Sequence, residues 1–156
     1  VSYTEQLQHI VGEYRDDGQP WPATSHEIAS WAIDQGRWAP QRGALIDRCA
    51  EELARAMREE YITDPQGRRI RAKHAAKRER DGRQGVFWED MRTASHEHME
   101  VAFQQRRQQI VGDCRQLKAD LDSYNENYNL GESLQMVFDF TNDLAEIEAL
   151  SALQLA

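Results

Sequence analysis

Gln41-Arg42-Gly43-Ala44-Leu45-Ile46-Asp47-Arg48-Cys49-Ala50-Glu51-Glu52-Leu53-Ala54-Arg55-Ala56-Met57-Arg58 runs almost directly into Tyr61-Ile62-Thr63-Asp64-Pro65-Gln66-Gly67-Arg68-Arg69-Ile70-Arg71-Ala72-Lys73. Leu45, Cys49, Leu53 and Met57 recur every four residues, with Ile46 and Ala50 beside them, so one face of a helix is apolar. Asp47, Glu51, Arg55 and Arg58 fall on the other face. The period then changes. Tyr61–Thr63 is strand-like, Pro65 presets φ in the turn, Gly67 can take a left-handed conformation, and Arg68–Arg71 carries the chain back. A long amphipathic helix leading into an Arg-tipped hairpin is expected, with strands pairing directly after the helix.

Upstream, Tyr3, Leu7, Ile10, Val11 and Tyr14 are spaced for a first helix, closed by Asp16-Asp17-Gly18. Gln19-Pro20-Trp21-Pro22 is a stiff connection. Thr24 and Glu27 form a capping box for a second helix carrying Ile28, Ala29, Trp31, Ala32 and Ile33, with Gly36 as its stop. Pro40 suits the start of the third helix.

Three helices and a hairpin in this order resemble the winged helix-turn-helix superfamily over about residues 3–73, at the level of element order. The resemblance implies that the third helix enters the major groove of DNA and that the hairpin, as a wing, meets phosphate or the minor groove. Carried over by position, the reading face holds Gln41, Ala44, Asp47, Arg48, Glu51 and Arg55, with Arg42 beside them. Asp47 and Glu51 depart from a phosphate-facing pattern, although an acidic side chain can accept from cytosine. Winged helices also serve as protein-interaction modules.

The 156 residues suit one domain, or a small domain with a helical extension. The formal net charge of −8 argues against a simple nucleic-acid binder, but the charge is unevenly spread. Arg68, Arg69, Arg71, Lys73, Lys77, Arg78, Arg80 and Arg83 face only Glu79 and Asp81 in that segment, a local +6. From Thr93 onward four basic residues meet eleven acidic ones, a local −7. The basic segment is the expected phosphate-contacting region; the acidic tail is expected to face another surface.

Beyond the wing, Asp81-Gly82 between two extended-looking runs signals a second hairpin, the other reading being a helix continuing through Ala75-Ala76-Lys77. From Ser95 to about Tyr124 a long helix is expected. Phe103, Ile110, Leu117 and Tyr124 repeat every seven residues, with Cys114 and Leu121 in the alternate seam and Arg107 one heptad earlier. Burial of that seam on the chain's own last helix, or in a dimer, is expected. Residues 134–140 alternate apolar and polar like a strand, though their apolar density also suits a buried helix. Thr141 or Asn142 caps a last helix through Leu144, Ile147 and Leu150.

The resulting fold class is mainly α with small β-hairpins (α+β): residues 1–73 as a winged-helix-like domain, 74–92 as a basic hairpin or linker, 93–156 as an acidic helical region. The chemistry that could make an enzyme is missing from the pattern. His96 and His98 sit about 200° apart on a helix and cannot grip one ion, so both read as surface histidines. Gly82-Arg83-Gln84-Gly85 lacks the phosphate-loop ending, and no nucleophile stands in an elbow context. Cys49 and Cys114 have no ligand spacing and read as two buried thiols. Trp38, in the loop before the third helix, is the tryptophan placed to stack on a base. No catalytic residue, metal or cofactor is expected. No apolar run approaches the roughly 20 residues that span a bilayer, and no secretory signal opens the sequence, so a cytoplasmic location is expected. The functional expectation is a non-enzymatic DNA-binding, regulatory protein; the other is an adaptor binding a protein partner, or itself, through residues 99–153.

Overall fold

Five helices and two antiparallel two-stranded sheets make up the described residues, which are 1–41 and 43–155 of the computed structural model. The chain divides into two units, Val1–Ala56 and Met57–Ala156.

In the first unit, α1 (Tyr3–Asp16) and α2 (Ser25–Asp34) pack together. Both open on capping boxes, Ser2 with Glu5 and Thr24 with Glu27, so two orphan amides at each start are satisfied. Tyr14 is the centre of the packing. It is 2% exposed, its ring meets Trp31 edge-on at 5.5 Å, and its hydroxyl donates to the Pro20 carbonyl at 2.9 Å. Ala32 is the other buried apolar residue here. Glu13 pairs with Arg37, tying the segment after α2 back to α1. Trp38 does the same by donating from Nε1, at the edge of its ring, to Tyr3 Oη at 2.8 Å.

The third helix, α3 (Ala44–Arg58), forms where its four-residue apolar spacing placed it and crosses the division between the units. None of its residues is buried, and Leu45, Ile46 and Leu53 are 79%, 80% and 58% exposed. Cys49 is therefore exposed rather than buried, and Cys114 is half-buried. Amphipathic spacing made the helix but did not supply a surface to cover it.

In the second unit, β1 (Tyr61–Thr63) pairs with β2 (Arg69–Arg71) as the turn chemistry required. Asp64 closes the turn: its carboxylate accepts from the amides of Gln66 and Arg68 and from Arg68 Nε, while Gly67 takes φ +83°. A longer hairpin comes next, β3 (Lys73–Arg80) with β4 (Arg83–Asp90), so the helical alternative for Ala75–Lys77 is excluded. Asp81 and Gly82 both have positive φ, the conformation a two-residue hairpin turn needs. Ala72, fully buried, joins the hairpins: its amide donates to Glu60 O and its carbonyl accepts from Met91 N–H. Through this shared junction the first hairpin belongs with the second, and the division falls at residue 56 rather than after Lys73.

Ser95 caps α4 (His96–Asn127), whose first turns pack on β3 and bury His98 and Ala102. A 32-residue helix is about 48 Å long, whereas eight strand residues reach only about 27 Å. Most of α4 therefore runs past its support. Ile110, Leu117 and Tyr124 are 43–53% exposed, and Phe103, 46% exposed, meets the His74 ring of β3 edge-on at 5.3 Å. The last helix, α5 (Thr141–Leu155), does not cover them: Leu144, Ile147, Leu150 and Leu153 are themselves 57–73% exposed. Residues 133–140 form neither helix nor strand, and are held to α4 at their start, where Asn125 Nδ2 donates to Leu134 O and Leu134 N–H donates to Asn125 Oδ1. With Leu117 45% exposed, Leu117→Ala should cost roughly 1 kcal/mol in denaturant melts of dilute protein, below the ~2–5 kcal/mol of full burial.

Candidate nucleic-acid interface

The register of β1 and β2 sets Tyr61 opposite Arg71 and Thr63 opposite Arg69, so these four residues share one face of the hairpin. The Arg69 guanidinium lies 4.1 Å from the Tyr61 ring centroid, a cation–π contact that holds its planar fork over the ring. Arg71 is half-buried, and its carbonyl is 2.8 Å from His74 Nε2. Arg106, reaching over from α4, completes the group. Although the residue is exposed overall, burial of its guanidinium and then repulsion from Arg71 lower its pKa. His74 is held below its ordinary value first by burial, then by the charges of Arg106 and Arg71. Among the described residues, Arg69, Arg71 and Arg106 take part in no ion pair. Cations that repel one another without a carboxylate between them form a standing site of positive potential.

The other basic residues expected at the interface divide into two kinds. Arg68 is held by Asp64 at 2.7 Å, Lys73 by Glu60 at 2.8 Å and Asp90 at 3.5 Å, and Arg48 by Glu52 at 3.4 Å. Arg78 lies 3.9 Å from Glu97. These charges are already answered within the chain. Arg80 lies over the Phe87 ring at 4.5 Å, and Arg83 is exposed at the second turn. Lys77 has an exposed side chain, while its backbone amide donates to Gln105 Oε1 at 2.7 Å and its carbonyl accepts from Gln105 Nε2 at 3.0 Å. Gln41 and Arg55 are exposed in the first unit, and Arg42 lies outside the described residues. The basic residues of 68–83 thus do not act as one set. Arg68, Lys73 and Arg78 lie against carboxylates, and the free guanidinium group is completed from α4.

His98 corrects the reading of paired surface histidines. His96 is exposed, but His98 is wholly buried, with Nε2 2.9 Å from the His74 carbonyl. The Nε2 proton donates there, leaving Nδ1 without a hydrogen bond and 3.6 Å from Glu89 Oε2. His98, Ala102 and Gln105 recur at helical spacing and form the face of α4 that meets β3. Phe103 joins that face by meeting the His74 ring edge-on at 5.3 Å, so of the apolar heptad only its first member reaches β3. Arg106 was legible as a basic residue, but nothing in the local sequence aimed it at the hairpin.

The lowered pKa of His74 has a stability consequence. The folded state resists protonation more than the unfolded chain does, so this contribution is complete above the ordinary value of 6.5 and is lost as pH falls through it toward the folded value. Urea midpoints measured from pH 8 to pH 5 should fall in wild type and fall less in His74→Gln.

No family model matches the chain, and no curated protein or solved structure matches it. No helix among the described residues is long and apolar enough to cross a membrane.

Proposed function

We propose that the chain is a DNA-binding protein that grips backbone phosphate between the β1–β2 hairpin and the start of α4. The observation that carries the reading is the trio Arg69, Arg71 and Arg106, which no carboxylate among the described residues neutralises, beside the Tyr61 ring. Guanidinium forks suit phosphate oxygens, and an adjoining aromatic can lie against sugar or an unstacked base. In this reading the helix–helix–helix–hairpin order works as a winged helix, with β1–β2 as the wing. In this reading the chain binds without catalysing a reaction, and a regulatory role requires that binding discriminate sequence. Duplex affinity across a salt series is the test: binding should weaken with salt at a slope of roughly −0.9 per phosphate neutralised. No binding at low salt to any of a random duplex pool would end it.

A second reading, a protein-interaction adaptor, is favoured by surface. The chain exposes 13353 Å², whereas two compact units sharing its mass would expose only roughly 9,700 Å². Leu45, Ile46, Ile147 and Leu150 are among the apolar side chains left open. Failure to bind DNA together with capture of a defined protein partner would place this reading first.

A further inference from the structure

The β3–β4 hairpin has two outer edges, and they are treated differently. Lys77 turns its amide and carbonyl away from β4, since both bond to the Gln105 side chain. The amide group of Gln105 thereby imitates a neighbouring strand and blocks that edge. Because Lys77 is the register partner of Val86, the amide and carbonyl of Val86 must also point outward, on the opposite edge. By the alternation of an antiparallel ladder, Gln84 and Trp88 point their backbone groups outward with it. No other strand among the described residues pairs with β4 there. Arg83–Asp90 contains no Pro and no Lys, its register is unbroken over eight pairs, and its charges, Arg83, Glu89 and Asp90, stand at its two ends.

We propose that β4 pairs antiparallel with β4 of a second copy of this chain, joining the two hairpins into a four-stranded sheet. A two-fold axis through Val86 is the arrangement that the residues select. Outward-pointing residues must meet one another, so Val86 faces its own copy and Gln84 faces Trp88, giving about six backbone hydrogen bonds. The intervening, more closely spaced pairs then set Arg83 opposite Glu89 and Gly85 opposite Phe87. Each copy contributes one Arg83 and one Glu89, so the ion pair forms twice. In each copy the Phe87 ring already lies against its own Gly85, 3.2 Å from where a Cβ would stand, so the Arg83–Glu89 charges select the register. Sliding by two residues one way sets Gly85 on itself and Asp81 against Glu89, like charges; the other way sets Phe87 on itself and Glu89 against Gly85. Only the Val86-centred register satisfies the charges. This inference stands on β4 and is independent of DNA binding.

The test uses the full chain in sedimentation equilibrium and hydrogen exchange. Wild type should be a dimer whose Gln84, Val86 and Trp88 amides gain protection as concentration rises. Arg83→Glu and Glu89→Arg should each weaken dimerisation by at least about tenfold, because like charges then face each other twice. Mixed together, the two variants should form a heterodimer of wild-type strength, since every 83–89 pair is again opposite in sign; a variant that merely misfolds could not do this. Val86→Pro should give a folded monomer, because it removes an amide that the hairpin itself does not use. A wild-type monomer at all concentrations overturns the proposal. So does a dimer that ignores all three substitutions, which would assign association to the exposed faces of α4 and α5, and so does the absence of protection at the three amides.

Discussion

Replacing Arg69 and Arg71 together with Ala should weaken binding to unrelated duplexes about equally and flatten the salt slope by roughly two. The formal net charge of −8 leaves little long-range attraction, so affinity must come from local contacts. Of the strand arginines, Arg68 already answers Asp64, whose carboxyl Arg68 holds below the usual carboxylate range against the effect of burial. Arg69 and Arg71 share a face and meet no carboxylate among the described residues. Arg68→Ala should consequently leave the slope nearly unchanged, which makes it the control. Arg106→Ala should remove roughly one further unit of slope if the α4 guanidinium joins the same phosphate run. Equal effects for Arg68 and Arg69 would show that the intrachain ion pair does not decide which charges are free. A change in sequence preference on mutating Arg48 or Arg55 would bring α3 into the interface as well.

Tyr14→Ala should destabilise the first unit by about 3–5 kcal/mol, the range for deleting a large buried aromatic. Few other side chains can compensate. Tyr14 and Ala32 are its buried apolar residues, and the ring of Tyr14 bridges the edge of Trp31 and the ring of Trp21, 6.5 Å away. Tyr14→Phe keeps the rings and removes only the hydroxyl bond to Pro20, so it should cost about 0.5–1.5 kcal/mol. Tryptophan fluorescence in urea reads both, because Trp21 and Trp31 flank the substituted ring. Near-equal losses for the two variants would mean that the hydroxyl bond, rather than ring packing, holds α1 to α2.

Short-range chemistry wrote the elements of this chain into its sequence. Thr24 and Glu27 start α2, Asp64 and Gly67 turn the first hairpin, Asp81 and Gly82 turn the second, and Ser95 caps α4; each needs only neighbours within about four residues. Such signals survive without knowledge of the rest of the fold. Burial does not, because it depends on which surface arrives. The apolar spacing of Leu45, Cys49 and Leu53 promised a covered face, yet that face is open. His98 beside His96 looked like one more exposed imidazole, yet the edge of β3 arrived on it and buried it completely. The same holds for charge. Sequence located eight basic residues between Arg68 and Arg83 but could not tell those held by Asp64 or Glu60 from those left free. Pairing Arg106 with Arg71 took a residue thirty-five positions away, carried in by α4 packing on β3. Local hydrogen bonds and turn geometry are fixed by adjacent residues, whereas desolvation and electrostatic potential are properties of what the fold brings together.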